Sequence, residues 1–174
     1  MKASVFIATS LDGFIARQDG GLDWLPAGGG EPHGYDEFMA TVDALVIGRK
    51  TFETVLSFGG WAYGQKPVVV LSTTLAEPKW PEGAVCEVMA GSPREICNRL
   101  RERGWKHLYI DGGITIQRFI EAGLIQRMII TRIPILLGNG VPLFGPLSRD
   151  VRFEHVATRS YASGLVQSEY VIRS

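Results

Sequence analysis

The chain has 174 residues, 45% of them hydrophobic and 21% charged, and its 18 Lys and Arg balance 18 Asp and Glu to a formal net charge of zero. That composition suits one globular domain, residues 1–174, with a core of its own, and excludes a disordered chain. Without a basic excess to neutralise phosphates nucleic-acid binding is not expected, and without a long apolar run neither is a membrane span.

In chain order, Ala3–Ala8 reads as a first strand, because its apolar stretch is too short for a signal peptide and runs straight into Asp12. A long loop from Thr9 to Glu31, with Gly28-Gly29-Gly30 inside it, has the length of a lid or binding loop. Tyr35, Phe38, Met39 and Val42 then fall on one helical face. Ala44–Ile47 and Val68–Leu71 are continuous apolar runs, as expected of strands covered on both faces, and Leu108–Ile110 and Met128–Ile130 read the same way. Between them lie helices marked by Phe52, Val55 and Leu56, by Ile96 and Leu100, and by Ile116, Phe119 and Ile120. The second of these opens on a capping box, Ser92-Pro93-Arg94-Glu95. Val151–Tyr161 and Leu165–Arg173, joined by Ala162-Ser163-Gly164, read as an antiparallel hairpin. The expected class is therefore α/β, with a mostly parallel sheet and an antiparallel C-terminal edge. Cys86 and Cys97 are expected to be free thiols in a reducing cytoplasm, and they lack the His neighbours of a metal site.

Ligands of open α/β sheets bind at the carboxyl ends of the strands, and four such ends carry suggestive residues. Ser10–Ala16 contains the turn-forming Asp12-Gly13. Gly48-Arg49-Lys50-Thr51 opens a helix with two cations where the helix dipole disfavours them, which points to an anionic ligand. Ser72-Thr73-Thr74 offers hydroxyls with no acid before Glu77 to hold ribose hydroxyls, which favours NADPH over NADH. Asp111-Gly112-Gly113-Ile114-Thr115 places paired glycines at a strand-to-helix junction, where a pyrophosphate can approach the backbone. Asp111 itself, a poor neighbour for a phosphate, is expected to point away or bond the backbone. Each segment taken alone also fits an ordinary turn. Neither G-x-G-x-x-G nor G-x-x-x-x-G-K-[ST] is present.

These segments resemble known ones. Ala44–Glu53, with Gly48-Arg49-Lys50-Thr51, resembles the Gly-Arg-x-Thr segment of dihydrofolate reductases. Val70-Leu71-Ser72-Thr73 resembles their strand-end serine segment, and Ile110-Asp111-Gly112-Gly113 their Gly-Gly cofactor turn. Ser10–Ala16 and Leu136–Phe144 are closer to the reductase domain of riboflavin biosynthesis, the C-terminal domain of the bacterial bifunctional deaminase-reductase. The resemblance implies a dihydrofolate reductase-like three-layer α/β/α sandwich with NADPH across the strand ends. It implies Gly48, Arg49, Lys50 and Thr51 at the adenosine phosphate and pyrophosphate, and Leu71, Ser72 and Thr73 on the 2′-phosphate side. Asp111, Gly112, Gly113, Ile114 and Thr115 would form the pyrophosphate turn. Ala8, Leu11, Asp12 and Gly13 would border the nicotinamide.

The implied activity is that of an NADPH-dependent oxidoreductase like 5-amino-6-(5-phosphoribosylamino)uracil reductase, moving hydride to a small heterocyclic or ribosyl substrate. Asp12, Asp36 and Glu37 are the candidate acids. Asp36 and Glu37 lie on the helix where folate reductases carry a carboxylate, but at a spacing to Gly48 that differs from theirs. Trp24, Tyr35, Trp61, Gly138 and Asn139 are candidate substrate contacts, and the loop holding the last two has no Lys or Arg, a departure from the riboflavin reductases. His33 reads as an exposed loop residue able to act as a proton donor. Two alternatives stay open: dihydrofolate reduction, and NADPH binding without turnover. A homodimer is expected, formed through the C-terminal hairpin and Ile133–Leu137.

Overall fold

Chain-spanning apolar runs become the middle of one sheet. In the computed structural model, which describes residues 1–26, 31–76 and 78–172, the elements in order are β1 (Lys2–Thr9), β2 (Phe14–Ala16), α1 (Tyr35–Thr41), β3 (Ala44–Gly48), α2 (Arg49–Ser57), β4 (Val68–Leu71), β5 (Cys86–Met89), α3 (Pro93–Glu102), β6 (His107–Asp111), α4 (Gly113–Glu121), β7 (Arg127–Arg132), β8 (Val141–Pro142), β9 (Glu154–Ser160) and β10 (Val166–Val171). The large sheet has the order β5-β4-β3-β6-β1-β7-β10-β9, and β2 pairs with β8 in a two-stranded sheet of their own. Strands β5 to β7 of that order run parallel, while β10 is antiparallel to both β7 and β9.

Two cores flank the sheet, completing a three-layer α/β/α sandwich of the dihydrofolate reductase type. On one face α1 and α2 bury Phe38, Phe52 and Val55 against Leu45, Ile47, Val68, Val70 and Tyr109. On the other, α3 and α4 bury Ile96, Leu100, Ile116 and Phe119 against Val5, Val46, Val69 and Ile110. Alternate residues of each strand thus feed opposite layers, which is why β3 and β4 read as unbroken apolar runs. α3 has the expected capping box: Ser92 Oγ accepts from Glu95 N, and Glu95 accepts from Ser92 N.

The differences from expectation are local. The first hairpin strand is Glu154–Ser160, because Val151 and Phe153 turn in to pack on the α3/α4 core and do not extend the strand. Gly164, at φ +88°, closes the hairpin turn, and the second strand is Val166–Val171. The loop after β1 contains β2. Gly28-Gly29-Gly30 and Arg173 lie outside the described residues. Cys86 and Cys97 are free, with burial pushing both thiols up, Cys86 to about 11. Among the described residues no helix is long and apolar enough to cross a membrane.

Candidate functional site

β3 and β6 are neighbours, paired Ile47 to Asp111. From β3 the chain continues through α2 to β4 on one side, and from β6 through α4 to β7 on the other. The helices leave on opposite faces. This is a topological switch point, the place where an open α/β sheet forms a crevice at its carboxyl edge.

The N-termini of α2 and α4 meet there. A side chain at Gly48 would come within 2.9 Å of Thr115 Oγ1, and one at Gly112, whose φ is +94°, would overlap the Thr51 hydroxyl. Neither helix has a side-chain cap, in contrast to α3. Two helix N-termini without side-chain caps among the described residues therefore converge on glycine-lined space, a cradle able to accept an anion. Arg49 and Lys50 stand exposed at the first turn of α2, and Arg49 lies 3.7 Å from Glu53. Ile114 is exposed beside them and Thr115 is buried.

Three loops fence the cradle. Ser72 Oγ accepts from the amides of Thr74 and Leu75, so it closes the turn after Leu71 and leaves Thr73 exposed. Gly113 packs under β8, where a side chain would come within 2.9 Å of the Pro142 carbonyl. Asp12 joins the other two loops. Its Oδ1 accepts from Ser10 Oγ (2.6 Å) and Leu137 N (3.1 Å), and its Oδ2 from Gly138 N (2.8 Å). The Ser10 hydroxyl, and then those amides, hold this carboxyl below its usual range. Gly13 and Gly138 both take positive φ beside the clamp, and Asn139 is exposed next to it. Leu11 is exposed, while Ala8, half-buried, reaches a small cluster around Trp24, Ile133 and Leu165. Trp24 is buried, and its indole N–H has no partner among the described residues.

Among the described residues Asp111 is the one carboxyl at the strand ends that burial pushes up, to about 6. Its register puts it on the α1/α2 face with Tyr109, and Tyr35 and Tyr63 are within electrostatic reach. One oxygen accepts from Gly112 N at 2.7 Å, so it bonds the backbone. Burial also raises the Tyr35 phenol to about 12, and Tyr109 Oη donates to the Phe6 carbonyl at 2.8 Å. The two acids on α1 are not brought to this point in the same way: Asp36 is exposed, and Glu37 lines a groove on the far side of α1. Trp61 anchors its loop, donating to the Gly64 carbonyl and packing edge-on against Phe52 and Tyr63. His33 is not the exposed residue expected. Its ring meets Tyr161 edge-on, and its Nε2 is buried without a partner among the described residues. Tyr63, Tyr109 and Thr131 carried no sequence signal, because Tyr109 and Thr131 stand in or beside an apolar run and Tyr63 in a glycine-bounded loop, and each gains meaning only from its neighbours in the fold.

Comparison with known proteins gives the family and the fold. The model of the RibD C-terminal domain family matches residues 2–167. The uncharacterized protein YwjB of Bacillus subtilis (strain 168) is 34% identical over 173 residues, covering 98% of this chain and 97% of YwjB. The crystal structure of a Shewanella sp. PV-4 protein, provisionally assigned to riboflavin biosynthesis, is 44% identical and covers all of both chains at a TM-score of 0.92. Dihydrofolate reductase from Enterococcus faecalis, solved with NADP(H), shares the fold at 21% identity, 98% and 95% coverage and a TM-score of 0.66. With its model matched over nearly the full length, the chain belongs to the RibD C-terminal domain family.

Proposed function

We propose that the chain is an NADPH-dependent reductase of the riboflavin-biosynthesis type, acting on a C=N or carbonyl group of a small heterocyclic or ribosyl substrate. The observation that carries this reading is the pair of uncapped helix N-termini at the switch point, pinned together by Gly48 and Gly112. That cradle fits a pyrophosphate. Exposed Arg49 and Lys50 fit an additional phosphate better than a bare ribose. The Enterococcus dihydrofolate reductase, similar in fold, was solved with NADP(H).

When bound, the dinucleotide supplies hydride. The chain's own residues do the rest. Ala8, Gly13 and the Asp12 clamp wall off the edge where the nicotinamide would lie. As the substrate carbon gains hydride, its π pair moves to the heteroatom, which takes a proton. Asp111 suits that transfer, because a buried carboxyl titrating at about 6 is protonated in a fraction of the molecules at neutral pH and in half of them near pH 6. Asp12, held below its usual range and bonded by three donors, suits the positioning of loops.

The test is NADPH oxidation with a panel of iminium and carbonyl heterocycles, ribosylaminopyrimidines included. Asp111→Asn is expected to lower turnover by about 10²-fold or more with NADPH affinity retained. Equal turnover by the variant would remove Asp111 from the chemistry. Absence of NADPH oxidation across the panel would favour binding without turnover.

A further inference from the structure

β1 and β6 are joined at one end only. Their ladder runs Lys2 to His107, Ala3 to Leu108 and Ser4 to Tyr109 and then stops, although β1 continues to Thr9 and β6 to Asp111. Each keeps its other neighbour: β1 stays paired with β7 as far as Thr9, and β6 with β3 as far as Asp111. The sheet therefore splits toward its carboxyl edge, where the candidate site lies. Peptide groups of a strand face its two neighbours by turns. Lys2 N bonds Lys106 O on the β6 side, and Ala3 O accepts from Gln126 N on the β7 side, so the Phe6 carbonyl faces β6 across the split. Its donor there is a side chain, the Tyr109 hydroxyl, at 2.8 Å.

Tyr109 and Asp111, two apart on β6, point to one face, and the hydroxyl is in direct polar contact with the Asp111 carboxyl. A phenol has one proton. Given to Phe6, it leaves a lone pair toward Asp111, which suits a neutral carboxyl and opposes an ionised one. The carboxyl accepts one other bond, from Gly112 N at 2.7 Å. The remaining groups that face it are Tyr35 of α1, with Asp36 beside it, and Tyr63 of the loop after α2, and these act on it through charge and not through a hydrogen bond. None is a cation, and Arg49 and Lys50 stand exposed at the start of α2. Among the described residues, the side-chain donor within reach of an ionised Asp111 is therefore the Tyr109 hydroxyl, once its hydrogen turns.

We propose that Tyr109 is a positioning residue for the proton donor: its hydroxyl holds the Phe6 carbonyl while Asp111 is neutral and turns to the carboxylate once Asp111 has given its proton away. The inference rests on the reductase reading for what Asp111 does in the reaction, while the turn of the hydroxyl does not depend on it. The proton that leaves Asp111 goes to the substrate heteroatom. The O–H bond of Tyr109 is never broken: the phenol stays neutral and rotates its hydrogen about the Cζ–Oη bond. A hydrogen bond to a carboxylate is roughly twice as strong as the neutral one it replaces, which eases leaving a charge in a buried site. The Phe6 carbonyl, two residues before Ala8, then loses its donor. The charge state of Asp111 is thus transmitted to β1, the strand that borders the proposed nicotinamide position.

The test follows the carbonyl carbon of Phe6 and the carboxyl carbon of Asp111 by NMR in the full chain, without cofactor or substrate, from about pH 4 to about pH 8. The two resonances are expected to titrate together, with a midpoint of about 6. In Tyr109→Phe, which keeps the ring, Asp111 should still titrate and the Phe6 response should be lost. In Asp111→Asn the Phe6 carbonyl should not respond over that range. A Phe6 carbonyl that ignores Asp111 in the parent chain overturns the proposal, whether or not the variants fold. So does a response that survives in Tyr109→Phe, because it then reports the field of the carboxylate and not a moving hydrogen bond. Turnover supplies a second readout: Tyr109→Phe should lower kcat about 10-fold with KM unchanged, and an undiminished kcat would remove Tyr109 from the reaction. The two claims fail separately. Coupled titration in a chain that oxidises no NADPH would sink the reductase reading and leave the hydroxyl switch standing, and NADPH oxidation with an uncoupled Phe6 would sink the switch alone.

Discussion

The proton donor proposed for the reaction, Asp111, lowers the stability of the fold when it is ionised. Burial moves its carboxyl from the ordinary 3.8 to about 6, so between those values the folded chain holds a proton that the unfolded chain has released. Stability therefore falls as pH rises through that window, by roughly 3 kcal/mol at most. Asp111→Asn is expected to be about 1–3 kcal/mol more stable than the parent at pH 7.5, with the gain gone near pH 4. Urea unfolding at both pH values checks this, and an equal gain at both would contradict it. Asp12 is the reverse case, a carboxylate held ionised by its donors. Asp12→Ala should speed hydrogen exchange at the Leu137 and Gly138 amides and weaken NADPH binding several-fold, and unchanged exchange there would show that the clamp carries no weight. Both aspartates were visible in the sequence beside glycines, but their roles were not. Asp12 carries no mark of the loop 125 residues later that it bonds, and of the tyrosines near Asp111 only Tyr109 is local to it, while Tyr35 and Tyr63 come from distant segments.

At the scale of elements, the contrast between capped and uncapped helices divides structure from site. Ser92→Ala in α3 is expected to cost about 1 kcal/mol and leave cofactor affinity unchanged. Gly112→Ala should do more, because the position has φ +94° and a side chain would overlap the Thr51 hydroxyl. Its expected signature is a loss of about 2 kcal/mol or more together with at least 10-fold weaker NADPH binding, and fluorescence titration with thermal melts checks both. The capping box, the helical stripes and the apolar strands were legible because their signals are local. Three strands were not. β2 and β8 have three and two residues, too few to show alternation, and each exists only by pairing with the other. β5, at the sheet edge, carries Glu87 in a four-residue run and takes its identity from β4.

For the whole molecule, the open end of the sheet is the feature to explain. β9 is exposed along almost all its length, with Val156 52% accessible. Unprotected edge strands pair readily, and an antiparallel pairing of β9 with its copy satisfies two-fold symmetry. A homodimer through this edge is expected at micromolar concentration by sedimentation, with Val156→Lys shifting it toward monomer. A monomeric parent chain would contradict it. Ile133, which the sequence offered to that interface, is buried inside the chain, while Leu136 and Val166 remain exposed. The orientation of α2 and α4 about β3 and β6 matters most, since it brings two helix N-termini together at the switch point, on which the proposed cofactor site rests. Its most direct test is titration of the parent chain and Arg49→Ala with NADPH and NADH, followed by tryptophan quenching. Saturable binding that favours NADPH, with the preference reduced about 10-fold or more in Arg49→Ala, is the expected result. No quenching by either nucleotide at millimolar concentration would contradict the cofactor site and the reductase assignment built on it.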